Sequence, residues 1–236
     1  SGFHVLAIDL RGHGDSDWHP DGEYGIENYK KDIVCILQEL NKPAAFIGAS
    51  LGGMTSLSIA GDSELKELCW SLVMVDIGLY PNLEGSQEIV DFMHSGSEGF
   101  ESVEEAAESV SNYLPHRKRP RDNRGLEKNL RLKDDGRYYW HWDPRFLDSR
   151  PKDMSEDYRQ RQKEFALGVQ TPTLLIKGAM SNILTQKEVE DFLGIIKHSE
   201  FIEIKNAAHM VAGDRNDIFA AEAIDFLENH SPLKEN

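Results

Sequence analysis

The pentad Gly48-Ala49-Ser50-Leu51-Gly52 sets a serine hydroxyl among small residues in a G-x-S-x-G pattern. An apolar run, Ala44–Ile47, precedes it, and a stretch of small and apolar residues, Leu51–Ala60, follows. The pattern requires that strand–turn–helix context. The turn is tight and strained, bulky neighbours would collide in it, and the serine is lifted clear of a sheet at a helix N-terminus. The unpaired amides and positive dipole end of that helix then face any oxyanion formed at the serine. The backbone amide of Leu51 is the expected donor. The competing reading is an idle serine in a glycine-rich turn, and the flanking runs argue against it.

A serine hydroxyl is a weak nucleophile without a base. Of the nine histidines, His209 in Asn206-Ala207-Ala208-His209-Met210 is the best placed. It lies just past the apolar run Phe201–Lys205, on a loop leading to the last helical pattern. Loops at the carboxyl ends of parallel strands are where sites assemble. His4 falls in a predicted strand, His230 in the tail, and His94 and His116 in a polar middle segment.

The elements that must position these groups follow from periodicity. Short apolar runs at His4–Leu10, Ala44–Ala49, Leu72–Val75, Thr173–Ile176 and Phe201–Lys205 read as strands covered on both faces. Helical patterns lie between them. Ile26–Leu40 places Tyr29, Ile33, Ile36, Leu37 and Leu40 on one stripe. Leu51–Ala60 reads as a buried helix, and Gln186–Ile196 and Asp217–Glu228 as amphipathic ones. The alternation predicts an α/β fold with a mostly parallel sheet flanked by helices. From about 79 to 168 it breaks down. That stretch is polar, has a helical run near Val103–Val110, and carries the cluster Tyr138-Tyr139-Trp140-His141-Trp142. It reads as a lid insert within a single domain spanning 1–236.

The chain has 236 residues, 26 Lys and Arg against 41 Asp and Glu, and a formal net charge of −15. Such a field repels phosphate backbones and anionic membranes, so neither nucleic acid nor membrane is an expected partner. No apolar run approaches the ~20 residues of a membrane span. Between Arg117 and Arg137, nine basic residues meet four acidic ones. The plain reading is a solvated face paired with the acidic remainder; the sharper one is that an arginine holds a carboxylate or phosphate. Cys35 and Cys69 fit no metal spacing and read as reduced core thiols of a cytoplasmic protein. Gly12-His13-Gly14 lacks the third glycine and helix start of a dinucleotide site. No cofactor and no metal are expected.

Together the motifs resemble the α/β-hydrolase superfamily over nearly the whole chain. Asp9-Leu10-Arg11-Gly12-His13-Gly14-Asp15-Ser16 looks like the turn after the family's fourth strand, where His13 either steadies that turn, the favoured reading, or approaches the pocket. Ser50 looks like the nucleophile after the fifth, Thr171-Pro172-Thr173-Leu174-Leu175-Ile176-Lys177-Gly178 like the seventh strand, and His209 follows the eighth. Trp140-His141-Trp142-Asp143-Pro144 and His209-Met210-Val211-Ala212-Gly213-Asp214 are similar to stretches of general serine hydrolases. A serine nucleophile disfavours the dehalogenase and epoxide-hydrolase branches.

Two departures accompany the resemblance. The family usually carries its acid a few residues past the seventh strand, where Gly178-Ala179-Met180-Ser181-Asn182 offers asparagine. An amide can hold an imidazole but cannot stabilise imidazolium, and in serine proteases such a change costs ~10⁴ in kcat. Asp76, at the end of Val73-Met74-Val75-Asp76, is the substitute; some members take their acid from that strand end. The family also begins with three strands and a helix that precede the segment opening this chain. The third of these supplies a second oxyanion amide and pairs beside the fifth. The domain is therefore expected to be incomplete at its N-terminus, as a fragment or as a chain completed by a partner or another copy. Exposed strand edges would favour self-association.

The resemblance implies a serine hydrolase of a small ester, thioester, lactone or activated carbon–carbon bond, working through an acyl-enzyme. Ser50 attacks, His209 relays the proton, Asp76 or Asn182 orients it, and Leu51 donates to the oxyanion. Tyr139, Trp140 and Trp142 are candidates to line the substrate pocket, with ordinary lid core as their alternative. A non-catalytic binding scaffold, impaired at Asn182 and at the oxyanion strand, is the competing function. An acyltransferase or perhydrolase using the same serine is a third.

Overall fold

In a computed structural model, which describes residues 2–117, 122–149 and 155–232, hydrogen bonding defines these elements in chain order. They are α1 (Ile26–Leu40), β1 (Ala44–Ala49), α2 (Leu51–Ala60), β2 (Cys69–Val75), α3 (Leu83–His94), α4 (Val103–Tyr113), α5 (Arg124–Glu127), β3 (Leu130–Leu132), β4 (Tyr138–Trp140), α6 (Glu156–Gly168), β5 (Thr173–Gly178), α7 (Gln186–Ile195), β6 (Glu200–Ile204), α8 (Val211–Asp214) and α9 (Asn216–Asn229). Internal contacts divide the chain into two compact units. The first comprises Ser1–His4, Ile26–Gly85 and Pro151–Asn236; the second comprises Val5–Gly25 and Ser86–Arg150.

The first unit is built on a sheet in the order β1-β2-β5-β6, every neighbouring pair parallel. β5 is buried throughout and β2 at every position but Trp70, as continuous apolar runs demand. Val73, Val75, Leu174, Ile176 and Ile204 pack against Val211, Phe226 and Leu227 from α8 and α9. α2 is apolar on all sides and buried along most of its length, as its composition predicts. Asn41 ends α1 in the left-handed region, φ 50°, where asparagine is tolerated, and its amide donates to Leu37 O.

Three expectations are corrected here. His4–Leu10 forms no strand; Val5 is 78% exposed and Leu6 and Ile8 are also exposed. An apolar run becomes a strand only where a neighbour supplies its ladder, and among the described residues none pairs with this one. The two edge strands, β1 and β6, are not covered on both faces: Ile47 is 49% and Phe201 37% exposed. Cys35 is not a core thiol, because it sits on the outer side of α1, whereas Cys69 is buried at the start of β2. Burial pushes the Cys69 thiol up to about 12.

The second unit has its own aromatic core. Trp140 on β4 is buried with Phe100, Val103, Ala106 and Leu130, and it stacks on Trp142 with ring centroids 5.0 Å apart. Its two chain segments are joined by a buried carboxylate. Asp143 accepts from the Tyr24 hydroxyl at 2.5 Å and from Arg145 Nε and NH2. Burial alone would raise the Asp143 carboxyl, but the Arg145 and Tyr24 bonds outweigh it and hold it below the usual range. Among the described residues no helix is long and apolar enough to cross a membrane. No group of three His, Cys, Asp or Glu residues there is arranged to hold a metal ion.

Two measurements test these arrangements. Iodoacetamide should alkylate Cys35 in the native protein and reach Cys69 only after denaturation; simultaneous labelling would contradict the burial of β2. Asp143→Asn removes the buried carboxylate that accepts from the Tyr24 hydroxyl and from the half-exposed Arg145, and should destabilise the fold by about 1–2 kcal/mol at neutral pH. A carboxyl with a depressed folded value gives stability that is present above its unfolded value and lost as pH falls through the folded one. Thermal midpoints of wild type and variant should therefore converge below about pH 4, and a gap that widened in acid would reverse that sign.

Candidate active site

Because the four strands are parallel, their C-terminal ends share one end of the sheet. Ser50 immediately follows β1, Asp76 follows β2, Ser181 lies past the end of β5, and His209 lies on the loop after β6. The carriers of the predicted chemistry thus emerge side by side from a chain order that separates them widely.

Ser50 adopts φ 48° and ψ −114°, a conformation side chains rarely take, at the N-cap of α2. The turn is closed by glycine: a Cβ on Gly48 would lie 2.4 Å from the Gly52 carbonyl. Ser50 N–H donates to Val75 O at 3.3 Å, which ties the elbow to β2, and Met54 N–H donates to Ser50 O at 3.0 Å to begin the helix. Leu51 is the first residue of α2. Its N–H belongs to the opening turn, where backbone amides have no intrahelical acceptor.

His209 must travel sideways. Neighbouring strands lie ~4.8 Å apart, so β6 stands about 10 Å from β2 with β5 between them. The loop turns at Asn206, φ 58°, and crosses the end of β5 over Gly178. A Cβ there would sit 2.3 Å from Ala208 O and 2.7 Å from Ala207 O. Met180 N–H donates to Ala207 O at 2.9 Å, and the Asp214 carboxylate accepts from Ala208 N–H at 2.8 Å. Held in this way, His209 Nδ1–H donates to Asp76 Oδ2 at 2.8 Å. The Asp76 side chain is fully buried and that of His209 is 12% exposed. With Nδ1 occupied, Nε2 is the nitrogen left to take a proton. Among the described residues no hydrogen bond joins Ser50 Oγ to His209; such bonds commonly tighten only around a substrate.

Asp76 is itself strained, φ 51°, and densely bonded. Its N–H donates to Ile176 O at 2.7 Å, Oδ1 accepts from Gly178 N–H at 2.7 Å, and Oδ2 also accepts from the Ser181 hydroxyl. Asn182, the other residue expected to orient the histidine, is exposed on the next position; the bond to His209 Nδ1 comes from Asp76. Ser181 was not foreseen as a site residue. Its only signal is its place in Gly178-Ala179-Met180-Ser181-Asn182, beside the position usually held by the family's acid.

The aromatic candidates belong to the second unit. Trp140 is buried in its core, stacked on Trp142. The Tyr139 hydroxyl donates to Asp135 Oδ2 at 2.8 Å, and Lys133 Nζ lies 3.9 Å from its ring centroid. His13 contacts Arg11 O through Nδ1 and meets the Phe146 ring edge-on; burial holds its pKa below the usual imidazole value. In the basic stretch, Arg124 pairs with Asp122, Arg131 with Asp15, and Arg137 donates to Gly99 O. Lys118, Arg119 and Arg121 lie outside the described residues.

A family model of the α/β hydrolase fold matches residues 1–215, so the chain belongs to that family. It is 28% identical over 219 residues to "Esterase Rv0045c" of Mycobacterium tuberculosis, covering 89% of this chain and 70% of that one. It is 24% identical over 221 residues to the "3-hydroxybutyrate-oligomer hydrolase" of Cupriavidus necator, covering 88% and 73%. Among solved structures, E-2-(acetamidomethylene)succinate hydrolase superposes with a TM-score of 0.80 at 20% identity, over 93% of this chain and 79% of that one. These likenesses fit the mostly parallel sheet flanked by helices described above.

The crossing over Gly178 has a direct test. Gly178→Ala should push the Ala207–His209 loop off the end of β5, lowering stability by roughly 1–3 kcal/mol. The ring signals of His209 should shift in NMR spectra. Unchanged unfolding and unchanged His209 signals would mean that the loop does not depend on that close approach.

Proposed function

We infer that this α/β-hydrolase-type enzyme is a serine esterase that cleaves a carboxylic ester through an acyl-enzyme. The observation that carries the reading is the bond from His209 Nδ1 to the buried Asp76 carboxylate, formed at the sheet end where Ser50 stands on its elbow. The relatives named as esterase and oligomer hydrolase support the same class of bond.

The steps follow from the groups present. His209 Nε2 takes the proton of Ser50 Oγ as that oxygen adds to the ester carbonyl carbon. The carbonyl oxygen becomes an oxyanion, with Leu51 N–H in the first turn of α2 as a donor to it. Imidazolium forms beside the Asp76 carboxylate, which a charge-assisted hydrogen bond stabilises more than a neutral one. The tetrahedral species then expels the alcohol oxygen, which receives the proton from Nε2. Water repeats the sequence on the acyl-enzyme: its proton goes to Nε2, its oxygen adds to the carbonyl carbon, and Ser50 Oγ leaves with the returned proton. The free acid is released and the serine is restored.

Asp76 lets this scheme run with asparagine at position 182. An amide there carries no charge, but a carboxylate already occupies Nδ1. Against p-nitrophenyl butyrate, Ser50→Ala and His209→Ala should each lower kcat at least ~10³-fold, and Asp76→Asn by ~10²- to 10⁴-fold. Asn182→Asp should change kcat little. Fluorophosphonate should label Ser50 alone, and denaturation should abolish labelling. Full turnover by Ser50→Ala would falsify the covalent reading. Unaltered binding of an ester analogue by a protein that neither turns over nor labels would favour the binding-scaffold alternative.

A further inference from the structure

We propose that Ser181 is a positioning residue of this site, a pinned hydroxyl that fixes the Asp76 carboxylate against His209. The proposal rests on the Ser50–His209–Asp76 reading above and adds a fourth member to it.

The geometry leaves the hydroxyl little choice. Ser181 Oγ accepts from the backbone N–H groups of Ile183, at 3.2 Å, and Leu184, at 3.3 Å. A serine oxygen has two acceptor sites and one proton. With both acceptor sites turned toward these amides, the proton points away from them, and there it meets Asp76 Oδ2. Two amides on the oxygen also draw electron density from it and make the O–H a stronger donor, as chains of hydrogen bonds polarise one another.

The carboxylate it serves is fully buried and takes donors from three elements. Gly178 N–H holds Oδ1 at 2.7 Å, and His209 Nδ1–H and the Ser181 hydroxyl meet on Oδ2. Without Ser181, the one donor to Oδ2 among the described residues would be the histidine it has to orient. The carboxyl plane could then swing about its terminal torsion, which is broad for aspartate, and carry Oδ2 away from Nδ1. With Ser181 present, Oδ1 is fixed from β5 and Oδ2 from the loop beyond it. The plane is set before the imidazole arrives. Because the Ile183 and Leu184 amides lead into the capped start of α7, the hydroxyl also anchors Asp76 to a regular element.

A merely structural serine would hold the 181–184 turn and do no more. The two roles are separated by kcat against KM, by rescue, and by a spectroscopic signature. Ser181→Ala, Ser181→Thr, Asp76→Asn and Ser50→Ala should be assayed with p-nitrophenyl butyrate. The low-field proton resonance of the His209 Nδ1–H should be followed by NMR. A hydrogen bond to a charged group implies that Ser181→Ala lowers kcat about 10- to 100-fold with KM within about twofold. Its low-field resonance should move upfield or broaden by exchange. Ser181→Thr, which keeps the hydroxyl, should stay within about threefold of wild type and keep the resonance. Ser181→Ala with wild-type kcat and an unmoved resonance overturns the proposal and leaves Ser181 a loop-holder. If Ser181→Ala does not fold, Ser181→Cys, whose thiol donates weakly, takes its place with the same expected loss, and wild-type kcat there overturns the proposal equally. Failure of the underlying reading looks different. Asp76→Asn would then retain activity, or inactive Ser50→Ala would lack the low-field resonance that an intact Asp76–His209 pair should show.

Discussion

The site depends on one hydrogen bond that joins the ends of two strands that are not neighbours. His209 comes from the loop after β6 and Asp76 from the end of β2, and β5 stands between them. Bringing them to 2.8 Å requires a loop that doubles back across a strand end, and that requires a residue without a side chain beneath it. Gly178 meets the requirement, and the same residue's N–H holds the other oxygen of the carboxylate. One backbone position thus clears the path for His209 and steadies Asp76. The Asp214 carboxylate on Ala208 N–H and the Met180 amide on Ala207 O keep the loop on that path.

The same end of the sheet concentrates backbone strain. Ser50 and Asp76 both lie in the left-handed region at the ends of adjacent strands. Such conformations cost roughly 1–3 kcal/mol each. A fully buried Leu or Ile side chain contributes about 1.5–3 kcal/mol, and Leu72, Leu174, Leu175 and Ile176 are all fully buried in β2 and β5. The interior of the sheet therefore offsets what its C-terminal end gives up. The edge strand β1 stands differently: it delivers the serine while leaving Ile47 open.

Much of this was legible in the sequence because the relevant patterns are local. α1 and α2 fall within the limits that their periodicity and composition give, and the elbow is a five-residue motif whose flanks identify it. What escaped was non-local. The run His4–Leu10 has the composition of a strand but lacks a neighbour among the described residues, and composition does not report neighbours. Cys35 sits among apolar letters but on the outward side of α1. Asp76 and Asn182 both stood as candidates to orient the histidine, because spacing alone cannot say which strand end His209 reaches. Ser181 was invisible for the same reason: its role arises only once the ends of β2 and β5 are adjacent.

The choice between Asp76 and Asn182 shows what the fold constrains. The imidazole meets a carboxylate oxygen at one point in space, and the end of β2 supplies it. A carboxylate supplied from β2 is buried under the returning loop and has to be held from the side. The loop after β5 supplies a holding group, the Ser181 hydroxyl. Asparagine at 182 leaves the Asp76–His209 contact intact, and the hydroxyl beside it bonds the same carboxylate. Asp76 brings the charge from the end of β2 and Ser181 the support from the loop after β5, and the two meet at Oδ2, the oxygen that receives His209 Nδ1–H.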